Sequence, residues 1–162
     1  ELSRARTAML FPLGEYSQLE IVYAYDGTSP RIDRADINDM SLVMKLSHGG
    51  FSILFTGDLN EDIGGYLAEH SNDLAADVLK IPHHGIEPVT PELFFEKVAP
   101  RWGLVSTPAQ FWLSEMSARV KNWFAERDIP VYASGIMGNV SVTVENGELK
   151  IRPDLAESPH QT

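Results

Sequence analysis

The sequence predicts a layered α/β chain of the α+β kind, built on a mixed β-sheet. Three observations carry that prediction. Short apolar runs of strand length crowd the first third of the chain. From Asp58 onward, amphipathic helical stretches alternate with short runs that read as buried strands. A strand pair joined by an Asn-Gly turn then closes the chain. The order ββββ-αβαβαβ-ββ belongs to layered folds that cover a sheet with helices.

Taken in order, residues 7–11 and 19–25 read as strands, the second alternating Leu19, Ile21 and Tyr23 with Glu20, Val22 and Ala24. Residues 26–39 hold Gly27, Pro30 and several charges and read as a surface loop. Residues 41–47 (SLVMKLS) and 51–56 (FSILFT) form a predicted hairpin across His48-Gly49-Gly50. Residues 60–70 predict a helix with Ile63, Tyr66 and Leu67 inward, against the weak helix propensity of Gly64-Gly65. Residues 78–81 predict a strand, and 91–98 a helix opened by Pro91 with Leu93, Phe94 and Val98 inward. Residues 103–107 predict a strand. Residues 114–127 predict a helix capped by Ser114, with Met116, Val120, Trp123 and Phe124 on one face. A strand over 129–134 follows, then a hairpin of 140–144 and 148–152 turned by Glu145-Asn146-Gly147. Residues 154–162 read as a flexible tail.

Composition narrows the functions. The chain has 162 residues, 43% hydrophobic, enough for one domain with a core. Thirteen basic against 23 acidic residues leave a net charge of −10, which argues against gripping a polyanion by surface charge. With no cysteine there is neither a disulfide nor a thiolate metal site. No apolar run reaches the roughly 18 residues of a membrane span, and no signal peptide is visible. A start at Glu1 predicts a processed product or a piece of something longer.

Two segments could carry chemistry. Phe55-Thr56-Gly57-Asp58 delivers a carboxylate at the end of an apolar strand, and taken alone Asp58 reads first as a helix cap, with Glu61 three residues on as in a capping box. His83-His84-Gly85 follows the strand run VLKIP; imidazole is the commonest metal ligand, and loop histidines bonded to backbone are the structural alternative. Asn38-Asp39 reads as turn residues and Ser106-Thr107 as a strand end. His48 falls in a hairpin turn, His70 at a helix C-terminus and His160 in the tail, and none of these reads as a ligand.

The ordered pair of "TGD" and "LK-x-P-H-H-G", with NDMSLVMKLSHGG before it and GLVST and IPVYASGIMGNVSVTV after it, resembles the second half of a metallo-β-lactamase-fold domain. More narrowly it is similar to the hydrolase domain of ComEC-type competence (DNA-uptake) proteins. The resemblance covers about residues 36–152 of the chain. It implies half of an αββα sandwich over 1–153, with helices on the outer face of its sheet. It also implies one or two zinc or manganese ions, with Asp58 as the bridging carboxylate, His84 as the late histidine ligand, and His83 as partner or substitute. The implied chemistry is hydrolysis of phosphodiester or ester bonds by a metal-activated water. The implied partners are the N-terminal half of the domain or a second copy of the chain, with a nucleic acid or small phosphodiester as substrate. The implied location is the cytoplasm or the soluble part of a membrane-associated competence protein, with no membrane contact by this segment.

The departures shape the expectation. The His-x-His-x-Asp-His motif of the family's first half is absent. Asn38 stands where many members have histidine, Ile86 follows His-His-Gly where Ser is common, and Ser114-Glu115-Met116 replaces a His-Pro pair. A catalytic zinc needs three protein ligands, so metal must depend on residues from outside this chain, which alone would be inactive. The competing expectation is a degenerate, non-catalytic binding or structural module. Lys80, Arg101, Arg119 and Lys121 are the residues available for a local basic edge.

Overall fold

The computed structural model describes residues 5–28, 30 and 36–155. Residues 29 and 31–35 of the expected loop lie outside the described residues, as do 156–162 of the expected tail, His160 among them.

One seven-stranded sheet is laid down in chain order: β1 (Leu10–Pro12), β2 (Ser17–Tyr23), β3 (Val43–His48), β4 (Phe51–Phe55), β5 (Val78–Lys80), β6 (Trp102–Val105) and β7 (Val131–Ala133). The first four strands pair antiparallel and the last four parallel. The change of sense comes where helical crossovers begin, since parallel neighbours cannot be joined by a tight turn. The crossovers carry α1 (Glu61–His70), α2 (Glu92–Val98), α3 (Ala109–Trp112) and α4 (Ala118–Ala125). After β7, α5 (Ser134–Met137) leads to a separate two-stranded ribbon, β8 (Val140–Glu145) and β9 (Glu148–Pro153). The mixed sheet with helices against it is the layered architecture the sequence predicts. Among the described residues no helix is long and apolar enough to cross a membrane.

The two faces of the sheet differ. Lys45, Leu54, Leu79, Gly103 and Val131 form a cross-strand row that is buried throughout. The helices supply Ile63, Leu67, Phe94, Phe95, Val120, Trp123 and Phe124 to the same core. The row on the other face, Met44, Phe55, Lys80, Leu104 and Tyr132, is only half-buried. The β8–β9 ribbon lies against the far end of that face, where Val142, Val144 and Leu149 meet Leu46, Phe51 and Ile53 around a small cavity.

Several elements depart from the sequence reading. The first strand begins at Leu10, because residues 7 and 8 form a turn. A bulge between Ile21 and Tyr23 breaks the expected alternation, and Ile21, Val22 and Tyr23 are all buried. The first hairpin turns on Gly49-Gly50 alone, with His48 in β3 and paired to Phe51. In α2 the inward residue is Phe95, whereas Leu93 is 41% exposed. The helix expected over 114–127 is divided into a 3₁₀ turn (Glu115–Ser117) and α4, which leaves Met116 exposed. Ser114 caps the 3₁₀ turn, and the buried Ser117 hydroxyl bonds the Phe111 carbonyl at 3.2 Å.

The Gly64-Gly65 pair has a packing explanation. A Cβ on Gly64 would stand 2.3 Å from Thr90 Cγ2, whereas one on Gly65 would meet nothing nearer than Pro91 Cγ at 3.8 Å. Gly64→Ala should therefore destabilise the chain despite alanine's better helix propensity. Gly65→Ala should stabilise it by about 0.5–1 kcal/mol. Denaturant unfolding of the two variants checks the opposite signs.

Candidate functional site

Because β4, β5 and β6 run parallel, their C-terminal ends share one edge of the sheet, the edge where open α/β sheets place ligands. Asp58 follows β4, His83 and His84 follow β5, and Ser106 follows β6.

Asp58 is not the cap of α1. That role belongs to Asn60, whose side-chain oxygen accepts from Ile63 N, while its amide nitrogen donates to the buried Asp39 carboxylate. The Asp58 carboxylate is thus left for other work. Its backbone N–H donates to Ser41 Oγ at 3.0 Å. Gly57 before it has φ +59°, and a Cβ there would touch Ser41 at 3.0 Å, so glycine suits both the turn and the close approach.

The second loop is held in unusual backbone. His83 (φ 47°, ψ 41°) and His84 (φ 56°, ψ 16°) are both left-handed, and Gly85 continues at φ 69°. Two consecutive L-residues in this region cost about 1–2 kcal/mol each, and such strain gathers at functional sites. Each ring is tied by Nδ1 to a carbonyl: His84 to Ser106 O at 2.5 Å, His83 to Pro88 O at 2.8 Å. A carbonyl only accepts, so both Nδ1 atoms carry the proton. In its neutral form each ring would then offer Nε2 as the free electron pair, the orientation that metal-ligating histidines adopt.

Only one of the two rings meets the carboxylate. His84 Nε2 lies 3.5 Å from Asp58 Oδ1. The His83 ring is bonded instead to the 87–90 loop. Arg119 grips that loop through Glu87 (2.6 and 3.2 Å) and through the carbonyls of Val89 and Thr90 (3.1 Å each). Burial raises the Glu87 pKa, but the Arg119 and Val89 hydrogen bonds and the Arg119 and His83 charges outweigh it, and the net shift is downward.

Lys80, offered by the sequence only for a basic edge, stands instead beside Asp58. Its Nζ donates to Gly57 O at 2.6 Å and stands 3.6 Å from Asp58 Oδ1. Burial pushes its pKa down, and the charge and hydrogen bond of Asp58 oppose the shift. The available signal was a lone charged residue closing a buried strand. The expected basic edge does not assemble: Arg119 is engaged with Glu87, and Arg101 pairs with Asp77 at the opposite end of β5. Asn38 sits in the 3₁₀ turn Ile37–Met40, where its backbone N–H bonds Asp36.

As a donor set for metal, Asp58 and His84 converge and suit a hard-to-borderline divalent ion. Among the described residues no group of three or more His, Asp or Glu side chains could hold one. The chain's own residues therefore fit part of a catalytic zinc site and fall one protein ligand short of it.

No protein-family model matches the chain. A stretch of 74 residues, 46% of the chain, is 35% identical to ComE operon protein 3 of Bacillus subtilis (strain 168). The chain spans 10% of that protein's length.

The strain at His84 is separable from its ring. His84→Ala and His84→Gly both lose the imidazole, but only alanine retains a Cβ in left-handed backbone. The glycine variant should be the more stable by about 1 kcal/mol, measured by denaturant unfolding. Equal stabilities would contradict the strain assigned here.

Proposed function

We propose that the chain is the C-terminal part of a metal-dependent hydrolase of the metallo-β-lactamase type, cleaving phosphodiester or ester bonds. The observation that carries this reading is the convergence of Asp58 Oδ1 and His84 Nε2, 3.5 Å apart at one sheet edge. The Ser106 O contact at His84 Nδ1 suits the tautomer in which Nε2 would ligate. The similarity to ComE operon protein 3 supports the same reading and a role in competence. So does the half-buried sheet face, which a second layer would cover, whether the N-terminal half of the domain or a second copy of the chain.

Zinc or manganese, when bound, would supply a water acidified toward neutral pH and an electrophile for the developing oxyanion. The chain's own part is positional. Ser106 O holds a proton on His84 Nδ1, so that in the neutral ring Nε2 would be the free pair. Ser41 Oγ and the Gly57 turn fix the backbone from which the Asp58 carboxylate projects. Arg119, through Glu87 and the 89–90 carbonyls, braces the loop that orients His83. Of the residues offered for a basic edge, Lys80, Arg101 and Arg119 are each already paired. A polynucleotide would need basic residues from the partner layer, whereas a small phosphodiester would not.

One observation favours the second reading, a non-catalytic module: Asp58 already has a cation beside it in Lys80. Activity separates the two. With the N-terminal half supplied, zinc- or manganese-dependent hydrolysis of bis-p-nitrophenyl phosphate should appear. Asp58→Ala should reduce it more than about 100-fold, beyond the 10–100-fold typical of losing an outer-sphere partner. His84→Ala should cost more than His83→Ala. Full activity in Asp58→Ala would remove the carboxylate from the site.

The Glu87 brace has its own pH signature. Its folded pKa lies below 4.5, so its contribution to stability is complete above the ordinary carboxylate range and fades as pH falls through the lower, folded value. Glu87→Gln should therefore flatten the acid limb of a stability–pH profile and leave the neutral limb parallel to the parent's.

A further inference from the structure

We infer that the Lys80 ammonium is the resident cation of the Asp58 corner, a built-in counter-ion with which any divalent metal must compete for Asp58 Oδ1. The inference rests on the metal-site reading above and adds what controls entry to that site.

Two nitrogen groups already face one oxygen, Lys80 Nζ at 3.6 Å and His84 Nε2 at 3.5 Å. The lysine is not a wandering surface chain. Its side chain is 20% exposed, and it rises from the half-open sheet face between its register neighbours Phe55 and Leu104. A 2.6 Å bond to Gly57 O fixes its head group. The same glycine carbonyl accepts from His83 N at 3.4 Å, so the ammonium is part of the clasp between the two site loops.

A carboxylate so placed needs no metal to be neutralised. A divalent ion seated between Asp58 and His84 would stand a few ångströms from a fixed positive charge. Even with water-like screening, repulsion between a unit and a double charge at about 6 Å corresponds to roughly tenfold in affinity. With two protein ligands on this chain and that repulsion beside them, the corner stays closed to metal until further ligands arrive. Lys80 thereby makes metal loading conditional on assembly, and it keeps the unassembled chain from collecting stray zinc.

The test uses the 162-residue chain, zinc sulfate titrated by calorimetry, and the His84 ring nitrogens followed by NMR. Lys80→Met keeps the apolar stem and deletes the charge, and it should bind zinc about tenfold more tightly than the parent. Lys80→Arg keeps the charge and should show no such gain. The gain should vanish in Lys80→Met/Asp58→Asn. Parent-like or weaker zinc binding by Lys80→Met, or an equal gain in Lys80→Arg, overturns the inference and leaves the metal-site reading standing. Zinc binding indifferent to Asp58→Asn in every background overturns the ligand assignment instead. Where Lys80→Met does not fold, Lys80→Gln carries the same comparison. Thermal melts give an independent readout: Asp58→Asn should lower the melting temperature more in the parent than beside Lys80→Met, because only the parent strands a half-buried ammonium. Equal losses refute the pairing.

Discussion

The clamp between the turn after β4 and the strand β5 is the constraint on which the site depends. Thr56 Oγ1 donates to Lys80 O at 2.8 Å, and Gly57 O accepts from Lys80 Nζ at 2.6 Å. Each of the two loops is short and locally determined, but their separation is not a local property. It follows from parallel pairing of β4 with β5, extended one residue past the ladder by these bonds. Asp58 and His84 meet because their strands are neighbours in register, and Ser106 reaches His84 Nδ1 because β6 is the next strand over. A side chain on a loop acquires a defined position only from such a base.

Burial explains why this edge tolerates strain. The buried cross-strand row under the helices is otherwise apolar, and its charged member, Lys45, is satisfied by Asp73 at 2.9 Å and by the Asp73 carbonyl at 3.1 Å. An unpaired charge there would be costly, so the pairing is obligatory. Against that rigid layer Trp112 is fully buried, and its ring lies where a Cβ on Gly85 would come within 2.8 Å. The left-handed run at 83–85 is therefore held between a packed tryptophan on one side and the Gly57 clasp on the other. Packing of this kind can sustain the backbone cost of two histidines in an unfavourable region.

Local chemistry decided what could be read in advance. The two hairpins were legible because their turn residues, Gly49-Gly50 and Asn146-Gly147, act within four residues of chain. The 114–127 segment was misread as one helix because Met116, Val120, Trp123 and Phe124 keep helical spacing across a break made by two serines, which apolar periodicity does not register. The four-residue helices α3 and α5 are too short to show any period. Capping went to Asn60 rather than Asp58, a choice between two good caps two residues apart that the contact with Asp39 settles. At the site, Asp58 and His84 stood out as residue types in an ordered motif. Ser106 did not, since it acts through a carbonyl that every residue possesses. Lys80 and Arg119 acquire their roles from contacts to residues 23 and 32 positions away, and no local pattern encodes those distances.

Lys80 also joins the electrostatics of the site to the half-buried face of the sheet. It belongs to the half-buried row with Met44, Phe55, Leu104 and Tyr132, so its stem is on the face that lacks full cover while its head is at Asp58. Any layer laid on that face removes water from the lysine as well as from the apolar residues beside it. Desolvation penalises an ammonium and strengthens its attraction to a nearby carboxylate at the same time. Covering the sheet without supplying new ligands would therefore tighten the Lys80–Asp58 pair. Only a layer that brought its own metal-binding groups would give Asp58 a better partner than the lysine. On the proposed reading, completing the core and completing the site would be one event, coupled through a single side chain.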